Sequence, residues 1–247
     1  LDKVTVNKNG YVSAIVTGTT YKSVIITYDE KGNELFKTYL SKTIAVDACV
    51  SPDNAEFAYA EVNNSGTTIQ SNIKIISIKD VKEKNTEPKY EYNAVQGSLI
   101  LRIKYQDKSR LICMYDDSIH KFETGVDVEL TKLNEDNPKI TFADIELSNY
   151  VFRTYEKSTS LFSADTIIEM QNTSNGKENV YTIEEVAKSV VSNNNVIAVN
   201  LGNEVYFVET NAWLIKRYSS SQVIEKIILG DGVAGIIYSD KIEIVNL

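Results

Sequence analysis

Histidine occurs once in this 247-residue sequence, at His120, and tryptophan once, at Trp213. A single imidazole cannot build a multi-histidine metal centre, and it leaves at most one ring to act as base for a serine or cysteine nucleophile. Cysteine is nearly as scarce, with Cys49 and Cys113 alone. Both sit inside apolar strand patterns, DACVS and RLICMYD, where a reduced thiol packs as a small hydrophobe; a disulfide is the open alternative. A chain of this length folds without staples, so neither state fixes the redox compartment. No apolar run approaches the ~20 residues that span a bilayer. Cations are outnumbered, 26 Lys and Arg against 34 Asp and Glu, for a formal charge of -8. Binding to a phosphate backbone draws its affinity from clustered Lys and Arg, so nucleic acid is not an expected partner.

Chemistry-bearing motifs are equally thin. Neither G-x-G-x-x-G nor G-x-x-x-x-G-K-[ST] occurs, so no phosphate cradle is encoded. The acidic stretch DEKGNE lacks the alternating oxygen ligands of a calcium loop, and Asp116 and Asp117 fall in a hairpin turn. No catalytic residue, metal ligand or cofactor is expected. His120, in SIHKFE, reads as an ordinary strand histidine. Trp213, in NAWLIK, reads as a packing residue, with a partner anchor as the other role for a lone exposed Trp.

What the sequence does have is a period. Turn signals precede apolar strand cores at NKNG-YVSAIV, SPDN-AEFAYAEV, QDKS-RLICMY, LSN-YVFRTY, SNN-NVIAVN and LGDG-VAGIIY. Taking positions 11, 56, 110, 150, 195 and 233 as equivalent gives spacings of 45, 54, 40, 45 and 38. A repeat of about 40 to 50 residues belongs to β-propeller blades of four strands. Third strands follow at SVIITYD, NIKIISI, SIHKFE, SADTIIEM, EVYFVE and KIEIVN, and fourth strands at ELFKTYL, KYEYNA, NVYTIE and WLIKRYS. The second strands are nearly continuous in apolar residues, as strands covered on both faces are, whereas the fourth carry Lys, Thr and Arg as half-solvated outer strands do.

The expected fold is all-β: a single propeller domain over residues 1–247, with blades at about 2–40, 43–94, 96–133, 138–184, 185–219 and 222–247. The last copy stops after its third strand. The ring is then either six units with one three-stranded blade, or larger, of ~7 or 8 blades, and completed by upstream residues. The sequence opens on Leu1, and a preceding segment with a signal peptide or membrane anchor is expected. Only KDVKEKN and IEEVAKS are helix candidates, and loop or strand is open for both.

The connections between second and third strands are the best binding candidates, because loops on a rigid scaffold carry recognition. Three are expanded and polar: TGTTYK (17–22), NNSGTTIQS (63–71) and EKSTSLF (156–162). From them we take Tyr21, Lys22, Asn63, Asn64, Thr67, Thr68, Gln70, Ser158 and Thr159 as candidate ligand-binding residues.

The phrase SPDNAEFAYAEV resembles the repeat of TolB-like and WD40-like propellers. The segments VNKNGYVSAIV, YDEKGNELFKTYL and GDGVAGIIYSDKIEIVNL are further similar to a bacterial family of membrane-anchored propeller proteins, a domain of unknown function. That resemblance implies a propeller outside the cell membrane, anchored by a segment upstream of Leu1, and it transfers no catalytic residues. The expected function is non-enzymatic: extracytoplasmic recognition or scaffolding of a protein, peptide or envelope glycan. The alternative is an envelope polysaccharide hydrolase or lyase using carboxylates and tyrosines at the tunnel mouth.

Overall fold

A computed structural model describes residues 1–82, 87–134, 138–160 and 163–247. The chain divides into two compact units, Leu1–Lys132 and Leu133–Leu247. The first contains three four-stranded antiparallel sheets: β1 (Lys3–Val6), β2 (Val12–Val16), β3 (Ser23–Tyr28) and β4 (Glu34–Leu40); β5 (Ile44–Val50), β6 (Glu56–Asn63), β7 (Gln70–Ser77) and β8 (Tyr90–Asn93); β9 (Ile100–Tyr105), β10 (Arg110–Tyr115), β11 (Ser118–Glu123) and β12 (Val126–Lys132). The second contains β13 (Ile140–Asp144), β14 (Tyr150–Ser158), β15 (Ala164–Asn172) and β16 (Glu178–Ile183); β17 (Ser189–Asn193), β18 (Val196–Asn200), β19 (Glu204–Glu209) and β20 (Leu214–Ser219); and a last sheet of three strands, β21 (Lys226–Leu229), β22 (Val233–Ile237) and β23 (Ile242–Asn246). Within every sheet the strand order is the chain order. The four-stranded repeat and its truncated last copy are those that the sequence indicates.

Turn chemistry closes the hairpins as the residues dictate. Gly32 adopts φ 80° in the β3–β4 turn, and Asp29 Oδ1 accepts hydrogen bonds from the amides of Lys31 and Asn33 at 2.9 and 2.8 Å. In the SPDN turn, Asn54 and not Asp53 takes the left-handed position, at φ 60°. Buried Ser51 organises it: its hydroxyl donates to Asp53 Oδ1 at 2.7 Å and accepts from the amides of Ala55 and Glu56.

Within each unit, apolar packing fills the space between successive sheets. Ala58, Ala60 and Ile73 of the second sheet pack with Ile103, Leu111, Cys113 and Phe122 of the third. In the second unit Phe152, Ile168 and Met170 meet Ile197 and Val199. Second strands β6 and β18 are buried almost throughout, as expected of strands covered on both faces. In β2 and β22, by contrast, burial alternates, because one face of each is incompletely covered. Cys49 and Cys113 are free thiols, and burial raises the pKa of both.

Buried polar side chains tie the sheets to one another. The Asp47 carboxylate on β5 is 2% exposed; its Oδ2 accepts the Ile103 amide of β9 at 2.9 Å and pairs with Lys3 Nζ of β1 at 2.9 Å. Ser23 on β3 accepts the Ala45 amide of the next sheet at 3.0 Å, Ser71 on β7 accepts that of Ile100 at 3.4 Å, and Thr166 on β15 accepts that of Ala187 at 2.8 Å. The hydroxyl near the start of the third strand is therefore a recurring clasp.

The structure decides three points that the sequence left open or placed otherwise. Of the helix candidates, residues 183–189 form no helix, and the other reduces to α1 (Ile78–Lys82), with residues 83–86 outside the described set. Trp213 is no packing residue: it is 70% exposed at the β19–β20 turn, where Ala212 has φ 65° and places the indole beyond the sheet. A fourth strand absent from the sequence pattern, β12, completes the third sheet with Val126 and Val128 exposed.

Two outcomes follow from this packing. Ile197, wholly buried, loses its burial and gains an unpaired charge in Ile197→Asp, which should cost at least about 3 kcal/mol in urea unfolding; wild-type melting would contradict the placement. At Asp53, burial acts to raise the carboxyl pKa, but hydrogen bonds from Ser51 and the Ala55 amide outweigh it, and the net pKa is lowered. A depressed carboxylate stabilises above its unfolded value, near ~3.9, and loses that contribution as pH falls through the folded one. Asp53→Asn should therefore be less stable at neutral pH and show a shallower stability loss below about pH 4, measured by denaturant midpoints across pH.

Candidate functional site

Seven of the candidate residues gather at the loop end of the first unit. The Tyr21 and Tyr39 rings lie 4.8 Å apart at an interplanar angle of 43°, and the residues are 37% and 53% exposed. Beside them, Lys22 Nζ donates to Asn64 Oδ1 at 2.9 Å and Ser65 Oγ at 3.4 Å, which joins the β2–β3 connection to the β6–β7 connection. Asn63 Oδ1 accepts the Ser65 amide at 3.0 Å and shapes that loop. Thr68 Oγ1 accepts from Gln96 Nε2 at 2.7 Å, and Gln70 Nε2 donates to the Ala94 carbonyl at 3.0 Å, so both hold the β8–β9 connection. Thr67 is exposed on the same loop. Ser158 and Thr159 belong to the second unit, where Thr159 turns onto Ser163; residues 161–162 of that connection lie outside the described residues.

The other side of the β8–β9 connection borders a recess of about 130 Å³, through Ala94, Val95 and Ser98. His120 lines it as well. Nδ1 of the ring lies 2.7 Å from Asp127 Oδ1, and Nε2 lies 3.1 Å from Ser118 Oγ and 4.0 Å from Glu129 Oε2. Tyr115 packs edge-on at 5.0 Å and Phe122 is stacked at 6.3 Å between ring centroids, so the imidazole is fixed in plane. Burial raises the pKa of the Tyr115 phenol far above its ordinary value, with Cys113 and Asp127 adding to the shift. Tyr115 is thus neutral and bound into the wall.

Asp127, His120 and Ser118 form a hydrogen-bonded row of the kind that activates a serine nucleophile. Two features argue against that chemistry. Ser118 Oγ donates to Asp117 Oδ1 at 2.8 Å, so its proton is directed away from the imidazole, and the adjacent carboxylate would oppose an oxyanion. Ser118 also stands at the start of a third strand, near the place where Ser23 and Ser71 act as clasps. Among the described residues no group of His, Cys, Asp and Glu is arranged to hold a metal ion.

Sequence reasoning passed over this recess. Ser118 and His120 are two apart on one strand and share a face, which the spacing shows. Asp127 is brought in by the β11–β12 hairpin, in which Phe122 is opposite Asp127 and His120 opposite Glu129, a pairing between strands that the spacing along β11 does not show.

Solved structures share this arrangement of sheets. Hsv2 of Kluyveromyces lactis aligns with a TM-score of 0.56 at 11% identity, covering 98% of this chain and 73% of that one. The β-propeller domain of the Trilobed protease from Pyrococcus furiosus gives 0.59 at 12%, over 99% and 84%. The C-terminal WD40 domain of Sif2 gives 0.52 at 10%, over 99% and 80%. At such identities the likeness defines the fold, which is a β-propeller. Residues 1–247 match a family described as "Family of unknown function (DUF5711)", and the chain belongs to it. No curated protein matches the chain.

A fluorophosphonate probe, which reacts with activated serines, should leave Ser118 unmodified in the folded protein, as read by peptide mass spectrometry. Stoichiometric labelling lost in His120→Ala would show that the row is a working nucleophile after all.

Proposed function

We propose that this protein is a non-catalytic recognition module that binds a peptide segment of a partner protein across the loop end of its first unit. The observation that carries the reading is the exposed Tyr21–Tyr39 pair beside a polar network that is already ordered. Aromatic rings supply contact area at little entropic cost, and loops held by their own hydrogen bonds lose little freedom on binding. The His120 recess is smaller than the ~300 Å³ at which small-molecule pockets begin, and suits one inserted side chain. The reading sets the propeller outside the cell membrane, anchored there, following the resemblance of its segments to membrane-anchored propellers.

A second reading, hydrolysis or elimination on an envelope polysaccharide, has one observation in its favour: Asp117, Asp127 and Glu129 converge on a recess that also contains Tyr115. The small volume weighs against it, since a glycan chain needs an open cleft between its acid and base.

Selection from a displayed random-peptide library should yield binders whose affinity falls at least about tenfold in the Tyr21→Ala/Tyr39→Ala double variant, as truncation of an aromatic anchor does. Unchanged affinity would refute the loop surface. Sedimentation with purified peptidoglycan, and no selected peptide, would transfer the ligand to glycan.

A further inference from the structure

The recess beside His120 carries negative charge that its own lining does not offset. Asp117, in the β10–β11 turn, and Asp127 and Glu129, on β12, all border it, and among the described residues that line it there is no Lys or Arg. The one basic group in the lining is the His120 imidazole. Asp127 and Glu129 are alternate residues of one strand and share a face. Their side chains are 42% and 48% exposed, which sets both at the rim. Asp117 is half-buried and fixed, accepting from Ser118 Oγ at 2.8 Å and from Ser98 Oγ at 3.0 Å.

Enclosure is a property separate from charge. Carboxylates on an open strand are satisfied by water, whereas a recess of about 130 Å³ with Ala94 and Val95 along one side gives a carbon stem a place to lie. The β8–β9 connection that supplies this side is already ordered: the Leu99 amide donates to Asp116 Oδ1 at 2.8 Å, and the Asp116 amide to the Leu99 carbonyl at 2.9 Å. A preformed site loses little freedom on binding, and acidic groups set in low-dielectric walls focus their field on the opening. The carboxylates come from a turn and a strand and form no single forked pair. An ammonium, with its donors at one point, meets such a set better than a planar guanidinium.

We propose that the recess binds a primary ammonium on a short aliphatic stem, with the stem against Ala94 and Val95 and the charge among Asp117, Asp127 and Glu129. This names the inserted side chain of the recognition reading as a lysine, and rests on that reading for the source of the amine; the amine site is testable alone. Carboxylates at the rim are screened by water and salt, so the isolated contact is weak and weakens further as salt is added. The same stem with its amine acetylated brings no charge and does not bind.

Because His120 is the only histidine, its ring C–H signals report on this recess alone in NMR spectra of the 247-residue protein. At constant pH and ionic strength, n-butylamine should shift them saturably with a midpoint of about 1–10 mM. 1-Butanol and N-butylacetamide should not. Glu129→Gln, at the exposed rim, should raise the midpoint at least about threefold, and Asp127→Asn/Glu129→Gln at least about tenfold, with the circular dichroism spectrum unchanged. No saturable shift, an equal response to 1-butanol, or a midpoint unmoved in both variants would overturn the site. Tighter binding of methylguanidinium would overturn the choice of ammonium. Nα-acetyl-lysine methylamide binding as well as butylamine supports a lysine residue as the source; butylamine binding with none from the lysine derivative would overturn the lysine and leave a free amine as ligand. Selected peptides that depend on Tyr21 and Tyr39, with no amine bound, would sink this site and leave the loop surface standing. Amine binding without any such peptide would do the reverse.

Discussion

A sheet packed face to face on another by Val, Ile and Phe gains energy from burial but little sense of position, because the hydrophobic effect has no direction. Within each unit, what fixes one sheet on the next is a small number of buried polar side chains, and Asp47 is the most consequential. Its carboxylate meets a lysine of the preceding sheet and an amide of the following one, with the Ala48 amide on its other oxygen. A buried carboxylate is tolerable only when it is fully partnered, and breaking such a set costs about 3–5 kcal/mol. Three consecutive sheets thus share one ionic centre. The clasps at Ser23, Ser71 and Thr166 repeat the principle with neutral groups, and Asn200, donating to the Ile224 carbonyl at 3.1 Å, does so for the last sheet.

The same device produces a row of side chains that resembles a catalytic one. A repeat architecture multiplies hydroxyls at the start of third strands, and a histidine two residues on shares their face. Once the β11–β12 hairpin brings Asp127 alongside, the geometry of a triad arises from structural parts. Its electrostatics do not follow, since the Ser118 hydroxyl donates to Asp117, whose adjacent carboxylate would oppose an oxyanion. What the recess offers is a rigid, acidic, half-enclosed wall next to loops that are ordered by their own hydrogen bonds.

Much of the fold was legible in the residues. Strand identity came from runs such as EFAYAEV and NVIAVN, whose composition reports the burial of β6 and β18, and from turn residues that keep fixed places in the repeat. The failures share a cause: features that bury nothing leave no hydrophobic signature. β12 is such a feature, with Val126 and Val128 in solvent, and the exposed Trp213 imitates a packing residue because composition is silent on which way a turn points its side chains. The loop cluster was readable as polar and expanded, but the pairing of Lys22 with Asn64 and of Thr68 with Gln96 joins residues far apart in the chain, and no local pattern encodes it. The recess was hidden for the same reason, through the register of one hairpin.

The first strand illustrates what alternation does beyond burial. Lys3 and Thr5 of β1, and Asn7 and Asn9 of the turn that follows it, reach to the next sheet: to Asp47, the Ala48 carbonyl, the Ser51 carbonyl at 3.0 Å and the Pro52 carbonyl at 2.6 Å. Bonds set in a single file share no load when tension comes from one end. A pull at the N-terminal side would open them one after another, beginning with the Lys3 ion pair, so the strand would peel at low force while its sheet kept its place.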